Sequence, residues 1–100
     1  MTRSIMGKSP FVKESVIEAE LSAVVRGRGG LCVKVQAIGR RGFFDRIILL
    51  PGGRIIFAEI KRPRGGRVSP HQRQYLALFK MLDVEVALIK NSADIAALFL

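Results

Sequence analysis

The stretch RGFFDRIILLPGGRIIFAEIKRP, residues 41–63, decides the fold. Its two apolar runs, Ile47 to Leu50 and Ile55 to Ile60, are built from the branched aliphatic residues that suit a pleated sheet, and Pro51-Gly52-Gly53-Arg54 between them is a turn. The unit is a hairpin with Asp45 at its entrance and Glu59-Ile60-Lys61 at its exit. Residues two apart on a strand share a face, so Glu59 and Lys61 point one way and Ile60 the other. Asp45 joins them only if it pairs opposite Glu59 or Lys61. A symmetric loop centred between Gly52 and Gly53 would set Asp45 opposite Ile60 and turn it away. Convergence therefore requires an odd-length connection, a bulge or a bend at Asp45. The competing reading is an ordinary ion pair, Glu59 with Lys61, on the exposed face of an edge strand.

Upstream of the hairpin, Val12 to about Val25 is helical, because Ile17, Leu21, Val24 and Val25 fall on one stripe when each residue advances about 100°. The glycines of Arg26-Gly27-Arg28-Gly29-Gly30 stop it, and Leu31 to Ala37 alternates as a strand. Downstream, Ser69, Pro70 and Gln72 predict a capped helix start, continued by Tyr75, Leu76, Phe79 and Leu82 on one face. Val84 to Ile89 is a fourth strand. Ser92-Ala93-Asp94 opens a short last helix whose Ile95, Leu98 and Phe99 dock on the sheet. The order α-β-β-β-α-β-α gives an α/β sandwich with a small central mixed sheet. Residues 1–10 are read as a flexible basic arm carrying Arg3 and Lys8, and residues 11–100 as a single domain.

The chain has 100 residues, with 17 Lys and Arg against 8 Asp and Glu, a net charge of +9. A field of that sign favours a polyanion before any specific contact forms, and nucleic acid is the first candidate. The arginines gather at Arg26, Arg28, Arg40 and Arg41 and again at Arg62, Arg64 and Arg67, in Gly-rich connections from which side chains reach a phosphate backbone. No basic amphipathic helix suggests a membrane surface, and no apolar run approaches the ~18 residues of a membrane span. The start, MTRSIMGKSPFVKE, is too interrupted for a secretory signal. Cys32, the single cysteine, has no internal partner and reads as a small buried hydrophobe, compatible with a reducing cytoplasm.

The same arithmetic sets Glu14 about 35° and Glu18 about 75° from the centre of the apolar stripe. Glu14 is thus expected to face the sheet, either as partner of a metal or of Lys61, or as a first-turn residue that only complements the helix dipole. Carboxylates held close raise one another's pKa, and a hard divalent cation relieves that repulsion. Mg²⁺ is the natural guest, with Mn²⁺ as a substitute. Such an ion and an adjacent lysine are the chemistry of phosphodiester hydrolysis.

Taken together, a helix-one Glu, an Asp at a strand start, Glu59-Ile60-Lys61 after a hairpin and a helix carrying Gln72 resemble the PD-(D/E)XK nuclease superfamily. Within it, residues 39–89 are similar to the virus-type replication-repair nuclease (VRR-NUC) domain in its short stand-alone form, and the likeness extends from about Glu14 to the C terminus. The resemblance implies Asp45 and Glu59 as metal ligands, the Ile60 carbonyl as a possible third, and Lys61 as the catalytic lysine. It assigns Glu14 to the helix-one glutamate, with Glu18 as the fallback. Gln72 matches the glutamine that follows the catalytic strand, where the residues alone also allow a capping-box partner for Ser69. His71 reads as a solvent or phosphate contact. The sequence departs from the family at Phe44, where proline is usual, and so loses a rigid bend before Asp45. The function implied is a Mg²⁺- or Mn²⁺-dependent, structure-specific DNA endonuclease acting as a homodimer on branched DNA such as four-way (Holliday) junctions, in the cytoplasm of a bacterial or phage-infected cell. Lys8, Arg26, Arg28, Arg40, Arg41, Arg62, Arg64 and Arg67 would grip its phosphates. The alternative is a non-catalytic nucleic-acid-binding module with structural acidic residues.

Overall fold

The computed structural model describes residues 13–62 and 66–100. The arm at 1–10, with Lys8, and Arg64 lie outside the described residues. Helix α1, Glu14–Gly27, buries Ile17, Leu21 and Val25, four residues apart, the spacing of one helical face. The strands are β1, Leu31–Lys34; β2, Arg46–Leu50; β3, Arg54–Ile60; and β4, Val86–Ile89, with α2, Pro70–Met81, between β3 and β4 and α3, Ser92–Ala97, after β4. This is the expected element order. Two strands are shorter than their apolar patterns suggested. β1 ends at Lys34 instead of Ala37, although the Val35 N–H still donates to the Asp45 carbonyl at 2.8 Å, and β4 starts at Val86 instead of Val84.

The sheet order is β1-β2-β3-β4, antiparallel except for the parallel β3–β4 pair. A parallel pair needs a crossover, and α2 provides it. The β2–β3 ladder closes with Leu50 opposite Arg54, which leaves a three-residue connection, Pro51 to Gly53. Gly52 and Gly53 take φ of 86° and 83°, a region closed to most side chains, which makes so short a turn possible. Arg46 lies opposite Ala58; one further step along the register brings Asp45, at a bend in the chain, opposite Glu59. The odd-length connection is therefore how this chain solves the parity problem.

One sheet face, with Ile48, Ile56, Ala58, Ile60 and Ile89, packs against Ile17, Leu21 and Val25 of α1 and Ile95 and Leu98 of α3. Burying each large aliphatic side chain contributes about 1.5–3 kcal/mol, so this layer holds the hairpin in place. On the other face α2 brings Phe79 onto Phe57 and Tyr75 onto Phe43, with Phe44 from the β1–β2 connection joining them, ring centroids 5.1–6.5 Å apart. Phe44 is 2% exposed. Where a proline would fix the approach to Asp45 through its ring, this chain fixes it by packing. Cys32 packs at the margin of the first layer, and burial pushes its thiol pKa up, as suits an inert hydrophobe. Among the described residues no helix is long and apolar enough to cross a membrane.

Candidate active site

β3 runs between β2 and β4, so its C-terminal end is walled on both sides. There the Lys61 Nζ sits 3.5 Å from the Glu59 Oε2, with side chains only 15% and 12% exposed. The reading of an exposed pair on an edge strand is thus overturned. Burial pushes the Glu59 pKa up, and the negative charge of Asp45 adds to it; Lys61 and the side chain of Gln72 pull the other way without cancelling it. Asp45 is raised for the same first reason, against the Arg46 charge and the Ile60 amide. The Asp45 charge raises the affinity of Glu59 for protons, as a nearby carboxylate does.

Each keeps one oxygen unsatisfied: Asp45 Oδ1 and Glu59 Oε1 are buried with no hydrogen-bond partner among the described residues. Buried polar atoms without partners are costly, and a pair of them on adjacent carboxylates is a donor set for a hard cation. Among the described residues no group of three or more His, Cys, Asp and Glu gathers as a metal cage. Two carboxylates still fit Mg²⁺, which keeps several waters and is held by one or two carboxylates plus substrate phosphate. The Lys61 N–H donates to the Ile89 carbonyl at 2.9 Å. Peptide groups alternate in direction along a strand, so the Ile60 N–H and C=O point to the β2 side, toward Asp45.

Sequence reasoning missed Arg46. It is 5% exposed, and its guanidinium bridges Glu18 Oε1 at 2.5 Å and Asp45 Oδ2 at 3.3 Å while also donating to the Asp45 carbonyl at 2.9 Å. The signal was present, since Arg46 shares parity with core residue Ile48 and a charge on a core face requires partners. Arg46 also bears on the choice between the two helix-one glutamates. Glu18, not Glu14, is linked to the site, because the long guanidinium reaches out to a carboxylate farther from the stripe centre. Glu14 is the first residue of α1, half-buried and without an ion pair or hydrogen bond among the described residues.

Gln72 is a capping-box residue, and its side chain also reaches Glu59. Its Oε1 accepts from the Ser69 N–H at 3.3 Å while Ser69 Oγ accepts from the Gln72 N–H at 3.1 Å, a complete capping box, and the same side chain faces Glu59.

A scan against models of known protein families finds no match. Among curated proteins, the "Putative nuclease p44" of Acyrthosiphon pisum secondary endosymbiont phage 1 is 42% identical over 72 residues, 71% of this chain and 76% of that protein. Among solved structures, a VRR_NUC domain superposes with a TM-score of 0.79 at 26% identity, covering 85% of this chain and 91% of the other. The chain belongs to the VRR-NUC family.

Around this VRR-NUC site the basic residues divide into two groups. Arg40 and Arg41 are exposed on the connection that ends at Asp45, Arg62 is exposed next to Lys61, and Arg67 and His71 are exposed at the start of α2. These lie on the segments that lead into and out of the carboxylates. Arg28 instead lies 4.2 Å over the Phe99 ring in a recess shared with Leu50, Pro51 and Arg54, at the turn end of the hairpin. β2 alone separates that end from Asp45 by about 17 Å at ~3.4 Å per residue. Arg26, in the last turn of α1, belongs to the same far end. The structure does not bring Arg26 and Arg28 to the carboxylates, because α1 runs from the site toward the turn.

Proposed function

We propose that this VRR-NUC domain is a Mg²⁺-dependent endonuclease, with Mn²⁺ as substitute, that hydrolyses phosphodiester bonds in branched DNA such as four-way junctions. The observation that carries the reading is the pair of orphaned carboxylate oxygens, Asp45 Oδ1 and Glu59 Oε1, beside a half-buried lysine in a chain of net charge +9. Asp45 and Glu59, with the Ile60 carbonyl, would hold the ion. When bound, it supplies Lewis acidity toward the scissile phosphate and lowers the pKa of attacking water. Lys61 orients that water and offsets charge on the phosphate in the transition state. Gln72 fixes the Glu59 carboxylate, and Arg46 with Glu18 fixes Asp45. Arg40, Arg41, Arg62 and Arg67 contact backbone phosphates without reading bases, and Lys8 and Arg64, outside the described residues, would extend that grip.

The site cuts one strand, so paired cuts require two copies. A homodimer is supported by the sheet face that α2 leaves uncovered, where Leu31, Leu49 and Ile55 lie in one register row at 59%, 38% and 49% exposure. The cytoplasm of a bacterial or phage-infected cell is the setting that the phage relative supports. The test is cleavage of linear, flap and four-way DNA with Mg²⁺, Mn²⁺ or Ca²⁺. Wild type is expected to cut branched DNA with the first two, and Asp45→Asn and Lys61→Ala are expected to bind it without cutting. A wild type that binds and never cuts would leave the non-catalytic module as the correct account; cutting that survives either substitution would remove the assigned roles.

A further inference from the structure

Ile38 is 90% exposed, at the tip of the connection between β1 and β2. One exposed aliphatic residue carries little meaning alone. Here three other features bear on it. First, the connection is fastened at both ends to the site: the Val35 N–H donates to the Asp45 carbonyl at 2.8 Å, and Gly42 lies so close to α2 that a Cβ there would stand 2.5 Å from the His71 Cβ. Second, the tip has a defined shape, with the Arg40 N–H donating to Ala37 O at 3.1 Å, the Phe43 N–H to Arg40 O at 3.2 Å, and Gly39 at a φ of 78°. Third, Ile38 borders a recess of about 470 Å³ together with Gln36, Arg40 and Arg41. An isolated apolar group among cations is poorly suited to a protein interface, which needs a contiguous patch.

We propose that Ile38 is a wedge that enters the base stack at the branch point while Arg40 and Arg41 hold the flanking phosphates, and that it sets the preference for branched over continuous duplex. The inference rests on the nuclease reading for its substrate. Its physical basis is the cost of unstacking. Apolar side chains inserted between base steps partly unstack them, at a cost that is smallest where stacking is already interrupted. A linear duplex bears the full cost and a junction little of it, so one side chain discriminates between them. The attachment at Asp45 fixes the distance from wedge to scissile phosphate.

The test uses a four-way junction with 2-aminopurine at the branch, in EDTA so that nothing is cut, with anisotropy as the separate measure of binding. Wild type is expected to raise the fluorescence on binding. Ile38→Ser and Ile38→Ala are expected to lose most of that rise while binding within about threefold, and Ile38→Phe to keep it. In Mg²⁺, Ile38→Ala is expected to cut the junction about tenfold more slowly, the loss of about 1.4 kcal/mol, with its rate on linear duplex unchanged. An equal rise for wild type and Ile38→Ser, or no rise for wild type, overturns the wedge. A wild type that cuts nothing with any ion but shows an Ile38-dependent rise removes the nuclease reading and leaves the wedge standing. Junction cutting unaffected by Ile38→Ala does the reverse.

Discussion

Replacing Lys61 by methionine keeps most of the volume of the side chain and removes its charge, so it isolates the pair with Glu59. At 3.5 Å the Coulomb attraction is about 5 kcal/mol at an effective dielectric near 20. That figure overstates the loss, because an unpaired Glu59 can bind a proton. Raising a carboxyl from its ordinary 4.5 to neutrality costs 1.36 kcal/mol per pH unit, which caps the loss at about 3.4 kcal/mol at pH 7. We expect Lys61→Met to lose about 2–3 kcal/mol in urea denaturation at pH 7 to 7.5 without metal, equivalent to a melting temperature lower by at least ~10 °C. The sign of the pH dependence follows from the direction of the shift. Glu59 is raised already, and losing Lys61 raises it further, so its contribution is fully present below the ordinary carboxylate value and is lost as pH rises through the folded value. The deficit relative to wild type should therefore shrink on acidification toward pH 5, and Glu59→Gln combined with Lys61→Met should abolish the dependence. A variant within about 1 kcal/mol of wild type at pH 7.5, with parallel pH profiles, would show that the pair is not held in a water-poor site.

Three other outcomes are expected. Mg²⁺ at a hundred times its dissociation constant should stabilise wild type by about 2.7 kcal/mol, whereas metal-free Asp45→Asn should melt above metal-free wild type and gain little from Mg²⁺, since it removes the charge that raises Glu59; calorimetry decides this. Gly42→Ala should cost at least ~2 kcal/mol, because φ is 80° and the new Cβ would meet the His71 Cβ at 2.5 Å and the Gln72 nitrogen at 2.9 Å, and chemical denaturation measures it. Ser69→Ala and Gln72→Ala should each lose about 1 kcal/mol of helix capping, but only the second should slow cleavage markedly; equal cleavage rates would reduce Gln72 to a cap.

The hairpin was legible because its information is local: β-branched runs, a Pro-Gly-Gly turn and parity arithmetic that named an odd connection as one of three solutions. Which solution applied depended on turn length, and a three-residue turn with two glycines at positive φ is one of several that the letters PGGR permit. The burial of Glu59 and Lys61 was not legible, because it depends on which strand lies at the sheet edge, a property of β4 thirty residues away. The choice between Glu14 and Glu18 was not legible for a related reason. Angular position relative to an apolar stripe predicts burial, but Glu18 is recruited by the reach of a guanidinium from another element. Phe44 looked like a lost constraint until α2 placed Phe79 5.1 Å from it.

The four arginine and lysine pairings among the described residues distinguish a site from a strut. Arg54 and Glu85 match both carboxylate oxygens, Nε with Oε1 at 3.0 Å and Nη2 with Oε2 at 2.5 Å, and both groups are more than a third exposed. Nothing in that pair calls for another ligand, and exposed pairs of this kind contribute little. Arg46 and Lys61 behave differently. Arg46 is buried and Lys61 half-buried, and each engages one oxygen of its carboxylate, Asp45 Oδ2 and Glu59 Oε2, leaving the second oxygen without a hydrogen bond among the described residues. A purely structural pair in a water-poor setting gains by satisfying both oxygens, because an orphaned one costs about 1–3 kcal/mol. Two such omissions on neighbouring carboxylates, in a chain with 17 basic side chains available, support the proposed role of the free oxygens toward a ligand. The two protein cations hold the carboxylates in place, which supports the proposal that their free oxygens are donors to a divalent cation.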